Sequence, residues 1–190
     1  EFFLLIWWPT INKITNNITG GAAYIFERGN DGTWSEKQKL LASDAAGGDR
    51  FGYSVAISQN YAIVGSVFDD GKVGSAYIFE LSNGNWGTAV SGETYRTETK
   101  KLLASDRQGN DRFGISVAIN NNYAIVGATF DEETNEPSSH NSGSAYIFER
   151  SNGTWTQKQK ITASDRGSGS LFGMSVSISG NNLIVGAHST

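Results

Sequence analysis

Apolar and polar residues alternate in short bursts along this chain, and the bursts recur in a fixed order. Asp111-Arg112-Phe113-Gly114-Ile115-Ser116-Val117-Ala118-Ile119 leads, after Asn120-Asn121-Asn122, into the continuously apolar Tyr123-Ala124-Ile125-Val126-Gly127-Ala128. The same order runs from Asp49 to Ser66 and from Ser170 to Ala187. The Phe-Gly pairs start at Phe51, Phe113 and Phe172, so the period is close to sixty residues. Whole motifs repeated at that spacing predict an array of like supersecondary units.

Each unit divides into four runs rich in Val, Ile, Tyr and Phe, bounded by Gly, Asn, Asp and Ser, which is the pattern of short strands. In the middle unit they are Ser116 to Ile119, Tyr123 to Val126, Ser144 to Phe148 and Trp155 to Ile161. The first two are joined by hairpin-sized links such as Ser58-Gln59-Asn60. The last two are joined by tight turns such as Ser151-Asn152-Gly153-Thr154. The fold class expected is therefore all-β, with tandem four-stranded antiparallel blades. The apolar Ala-Ile-Val-Gly run suits a strand buried on both faces, whereas Trp34 to Leu40 is polar enough for a solvated outer strand. A lone sheet of about sixty residues buries too little surface to be secure, so blades are expected to lean on one another as in a β-propeller.

Phe3 to Pro9 falls where a second strand belongs, because Ala22 to Phe26 follows it as a third. On that count the chain opens on strands two, three and four, holds two complete units, and closes on strands one and two. It has 13 strands in all. About three blades cannot close a ring of the usual four to eight. The array is then open: either a piece of a longer propeller, or completed by another chain. The second reading makes residues 1–20 an N-terminal strand and linker donated to a neighbouring subunit, followed by a repeat array with units near 21–73, 74–142 and 143–190. Phe2, Phe3, Leu4, Leu5, Ile6, Trp7 and Trp8 are the assembly residues it names, since an exposed apolar strand is otherwise an aggregation hazard. The interface would be heterologous and build a filament or a ring. Two insertions, one between Trp86 and Leu102 and one between Val126 and Ser144, interrupt the repeat and offer loops for contacts.

Composition narrows the function. The formal net charge of −4 supplies no basic stripe, so nucleic acid is not expected as a partner. The absence of cysteine removes disulfides and thiolate metal sites. The apolar N-terminal run stops at Pro9, short of the ~20 residues a membrane-spanning helix needs. No catalytic set assembles. Gly52-Tyr53-Ser54 lacks the closing glycine of a nucleophile elbow and recurs as strand sequence, and His140 and His188 are too few for a triad or a zinc site. Asp44 with Asp49, and Asp106 with Asp111, bracket glycine-bearing loops, but an aspartate folding back on its own turn explains that spacing without a metal. Asp69-Asp70 and Asp131-Glu132-Glu133 read as solvated acidic turns, and the recurring Trp34, Trp86 and Trp155 as blade packing. No cofactor is expected. Asn17 and Asn152 head N-glycosylation sequons.

The motif FG-x-SVAI, then AIVG-Ala, then Gly-Ser-Ala-Tyr-Ile-Phe-Glu, then a Trp and Lys-Leu-x-Ala-Ser-Asp, resembles the FG-GAP repeat of integrin alpha-subunit heads and many secreted microbial proteins, over Gly21 to Thr190. The resemblance implies propeller blades and an extracellular or cell-surface role in adhesion or structure. Many members of that family carry an Asp-rich calcium loop between the first and second strands. Here the links are Ser58-Gln59-Asn60 and its counterparts, with no carboxylate, so no calcium is expected there. The motif's closing proline is replaced by Val67, Thr129 and His188. The function expected is a non-enzymatic structural or adhesion module forming a homo-oligomer or filament. The alternative is a glycan- or protein-binding propeller fragment of a larger secreted or surface protein, which would expose Trp86 and the insertion bearing Tyr95.

Overall fold

Three apolar layers, each lying between two neighbouring sheets, hold this protein together. The structure, a computed structural model, describes the backbone of residues 2–5 and, in full, residues 19–132 and 141–189. Ile6, Trp7, Trp8, Asn17 and His140, singled out above, lie outside them.

The first sheet contains β1 (Phe2–Leu5), β2 (Ala23–Arg28) and β3 (Trp34–Leu40). β1 pairs antiparallel with β2 of its own chain, Phe2 opposite Glu27 and Leu5 opposite Tyr24. This is the register of a second strand against a third, since Tyr61 faces Glu80 and Val64 faces Tyr77 one blade later. The second blade is β4 (Phe51–Ser58), β5 (Tyr61–Ser66), β6 (Ser75–Ser82) and a fourth strand split into β7 (Asn85–Trp86) and β10 (Lys100–Leu102). The third is β11 (Phe113–Ile119), β12 (Tyr123–Ala128), β13 (Ser144–Ser151) and β14 (Thr154–Ile161), each paired with the next. A two-stranded hairpin follows, β15 (Ser175–Ser179) with β16 (Asn182–Gly186).

The described residues thus form 16 strands where 13 were expected. The surplus comes from the insertion after Trp86, which cuts the fourth strand in two and adds β8 (Thr88–Ala89) and β9 (Tyr95–Thr97). β9 pairs in parallel with β3, Lys39 opposite Tyr95, and β8 extends that sheet by one more strand. Sequence reasoning made β3 an outer edge. Its polar residues are indeed exposed, but its C-terminal end is covered by a loop from the following blade.

Burial follows the predicted pattern. β5 is buried along its whole length and β12 from Ala124 onward. Ile25, Leu40, Phe51, Val64, Tyr77, Phe79 and Trp86 form the layer between the first and second sheets. Ile63, Leu102, Phe113, Val126, Tyr146, Phe148 and Trp155 form the layer between the second and third. Between the third blade and the hairpin only Ala118, Ile125 and Ala145 are fully covered, and Phe172, Val176, Ile178 and Val185 pack there half-buried.

Candidate functional site at the blade junctions

The repeated motif codes for a junction between blades, and its residues meet there in a set arrangement. The Phe of each Phe-Gly pair, at the start of a first strand in β4 and β11 and just ahead of β15 in the third copy, lies beside the Gly that precedes the third strand of the blade before. Gly21 bridges Phe51, Gly74 bridges Phe113 and Gly143 bridges Phe172, all parallel. The Phe amide donates into the same stretch, Phe113 N–H to Val73 C=O at 3.0 Å and Phe172 N–H to Ser142 C=O at 2.9 Å. The ring then meets the third strand of its own blade edge-on. Phe51 lies 5.3 Å from Tyr77 and 6.1 Å from Phe79, and Phe113 lies 5.4 Å from Tyr146 and 6.0 Å from Phe148. Such pairs contribute roughly 0.5–1.5 kcal/mol beyond the area they bury.

Gly114 and Gly173, the glycines after the second and third Phe, lie against the glycine of Ile-Val-Gly in the preceding blade. A Cβ on Gly65 would come within 2.0 Å of Gly114 C=O, and one on Gly127 within 2.0 Å of Gly173 C=O. The two backbones touch, so neither position has room for a side chain. The strand serines close the same contact: Ser54 Oγ–H donates to Gly114 C=O at 2.7 Å, and Ser116 Oγ–H to Gly173 C=O at 2.6 Å. These hydroxyls bind backbone across a junction.

The paired aspartates divide into two tasks. Asp49 accepts the Ala46 N–H at 2.6 Å and Asp111 the Gln108 N–H at 2.5 Å, each closing its own turn. Ser170 makes the matching bond to Gly167 N–H at 3.0 Å, so the third copy keeps the turn without a carboxylate. Asp44 and Asp106 instead reach into the following blade. Asp44 accepts the Tyr77 hydroxyl at 3.0 Å and the Lys101 ammonium at 2.6 Å. Asp106 accepts the Tyr146 hydroxyl at 2.9 Å and the Lys160 ammonium at 2.8 Å.

A second carboxylate completes each cluster. Lys101 also lies 2.6 Å from Asp69, and Lys160 lies 2.7 Å from Asp131. Ser75 Oγ–H donates to Asp69 and Ser144 Oγ–H to Asp131. Asp69 and Asp131 are 4% and 1% exposed, which corrects the reading of these loops as solvated acidic turns. An ammonium placed between two carboxylates satisfies both, so the positive charge comes from the chain itself.

The electrostatics follow from burial and charge. Burial alone would lower Lys101 and Lys160, but hydrogen bonds and charges from two aspartates outweigh it and hold both ammoniums above their ordinary range. Burial would raise Asp44 and Asp106, yet the lysine and tyrosine bonds prevail and hold them below the usual carboxylate range. Asp111 goes the other way. Burial, aided by the Asp131 and Asp106 charges, pushes it up to about 7 against the opposing Gln108 bond. Asp49 is raised for the same reasons.

The aromatic residues are sorted by position. Trp86 and Trp155 are buried, 1% and 6% exposed, so Trp86 presents no stacking platform, and Tyr95 is half-buried. Trp34 is 39% exposed. Asn152 sits exposed in the β13–β14 turn, where a sequon is accessible, and His188 is exposed beside Ser189. Among the described residues no group of three or more His, Asp and Glu is arranged to hold a metal ion.

Stacked four-stranded antiparallel blades joined by one recurring junction define a propeller-type repeat protein. The profile of the FG-GAP repeat matches residues 34–79, 97–148 and 155–190, well over half of the chain. The chain belongs to the FG-GAP repeat family. Comparison with curated proteins found no match. FG-GAP repeats typically occur in extracellular or surface proteins of the adhesion-type β-propeller class. No helix among the described residues is long and apolar enough to cross a membrane.

Proposed function

We propose that this chain is a non-enzymatic extracellular repeat module, structural or adhesive, which self-assembles through its open sheets into a filament or ring. One contrast carries the reading. Ile63 and Ile125, at the centre of β5 and β12, are wholly buried, but Ile184 at the same place in β16 is 70% exposed and its neighbour Leu183 is 37% exposed. Among the described residues nothing pairs with the outer edge of β16. A strand patterned for two-sided burial and left open on one side invites another strand. A glycan- or protein-binding propeller fragment of a larger secreted or surface protein is the alternative, and it would have to use exposed aromatics such as Trp34, because Trp86 is buried.

Sedimentation velocity over a hundredfold range of concentration tests the proposal. Species growing stepwise in units of one chain are expected, and a monomer throughout overturns self-assembly.

A further inference from the structure

We propose that the cleft between the third blade and the β15–β16 hairpin is the seat of the β2–β3 hairpin of a second copy of this chain. The inference rests on the self-assembly reading and names the contact that would perform it. The cleft, about 460 Å³ in volume, is lined by Tyr123, Ile125, Ile147 and Glu149 on one side and by Ile178 and Leu183 on the other.

An intact junction inside the chain records what fills such a cleft. At the equivalent place on the second blade, Tyr61 is met edge-on by Trp155 of the next blade, ring centroids 5.7 Å apart. The Arg150 guanidinium lies over the Tyr61 ring at 5.0 Å and reaches Glu80 at 3.4 Å. Arg150 and Trp155 are cross-strand partners in β13 and β14. On the third blade Tyr123 and Glu149 stand where Tyr61 and Glu80 stand, opposite one another in register. There Glu149 is held by Lys158 of its own blade at 2.8 Å.

The matching arginine and tryptophan are at the other end of the chain. Arg28 and Trp34 are the cross-strand pair of β2 and β3, and both are exposed. The rest of the junction is divided in the same way. Phe172 and Asp165, counterparts of Phe113 and Asp106, are at the hairpin end. Tyr24, Phe26 and Lys39, counterparts of Tyr146, Phe148 and Lys160, are on β2 and β3. Phe172, Tyr24 and Phe26 are only partly buried, whereas Phe113, Tyr146 and Phe148 are fully covered. Asp165 is exposed, whereas Lys39 sits over the Tyr24 ring at 5.7 Å just as Lys160 sits over Tyr146 at 5.5 Å.

Among the described residues two junctions are complete, and the counterparts of the same contact stand apart on the third blade and its hairpin and on β2 and β3, acidic Glu149 and Asp165 on one part and basic Arg28 and Lys39 on the other. Docking brings β16 to the edge of β2 that β1 holds in the single chain. β1 is the strand that yields.

Charge reversal on the 190-residue chain tests the contact, with Arg28→Glu and Glu149→Arg studied singly and as an equimolar mixture by sedimentation velocity and mass photometry. Thermal melts of each confirm folding. Each single variant is expected to weaken self-association tenfold or more. The mixture should recover it, because every contact between unlike copies pairs a glutamate with an arginine. Unvaried chains that assemble while both variants assemble equally well overturn this seat and leave self-assembly standing. Unvaried chains that stay monomeric at every concentration overturn both. A weakening that the mixture does not reverse also rejects the Arg28–Glu149 contact.

Discussion

Asp111 shows how one side chain can set a pH dependence in a fold otherwise held by apolar layers. It closes its own turn through the Gln108 amide, yet it sits buried near Asp106 and Asp131, so its folded pKa is pushed up to about 7. A raised carboxyl holds a proton in the folded chain that the unfolded chain has already released. Stability therefore rises as pH falls from 8 to 5, and levels off near 4 where the unfolded state takes up the proton too. Below about 4 the sign reverses, because Asp44 and Asp106, held low by Lys101 and Lys160, contribute stability that is lost as they are protonated. Asp111→Asn keeps an acceptor for the turn and removes the charge. Urea unfolding at pH 5.5 and pH 8 should show a difference of about 1–2 kcal/mol in the unvaried chain and a clearly smaller one in the variant. The same slope in both would refute this role for Asp111.

Among the elements, what could be read from the sequence was what is local. The strand order, the hairpins and the double burial of Ala-Ile-Val-Gly follow from patterns inside one unit. The placement of Phe3 to Leu5 as a second strand follows from its position before Ala22 to Phe26, and the backbone of β1 lies in that register. The lysine clusters escaped because their partners are distant in sequence: Asp44 and Lys101 are 57 residues apart, Asp106 and Lys160 54. A signal was present in Lys39-Leu40, Lys101-Leu102 and Lys160-Ile161, where each fourth strand carries a lysine just before its apolar end. The parallel pairing of β9 with β3 had no such signal, since an insertion's partner lies in another blade. The meaning of the motif glycines is likewise an inter-element matter. Gly114 and Gly173 have φ of 90° and 91°, and each presents its carbonyl to a glycine of the blade before. Gly127→Ala would drive a Cβ into Gly173 backbone and should cost about 2–3 kcal/mol in urea unfolding. Gly109→Ala, with open space around it and no positive φ, should change stability by less than about 0.5 kcal/mol. Equal effects at the two sites would show that the glycine contact does not organise the junction.

At the scale of the whole molecule, the FG-GAP repeats act as one contact used again and again. Phe, Tyr, Lys and Asp from two neighbouring units close around each other, and stability grows with every junction completed. In the two complete junctions the aromatic residues are covered and the aspartates paired. Phe172 and Asp165 beside the β15–β16 hairpin, and Tyr24 and Lys39 on β2 and β3, are the counterparts of residues that meet in those junctions, and two copies are proposed to bring them together. In the proposed assembly a second copy would repeat a contact the chain already makes with itself, once β1 leaves the edge of β2.

The most direct measurement is a disulfide trap. Tyr61 faces Glu80 and Tyr123 faces Glu149 across paired strands, so Asn182 of one copy should face Glu27 of the next. The chain has no cysteine, and Asn182→Cys combined with Glu27→Cys introduces the only two. Under mild oxidation the double variant is expected to give a ladder of covalent dimers, trimers and larger species on a non-reducing gel, with each single variant giving no ladder. A double variant that forms no ladder, while sedimentation shows the protein assembled, would contradict the claim that the third junction is completed between copies.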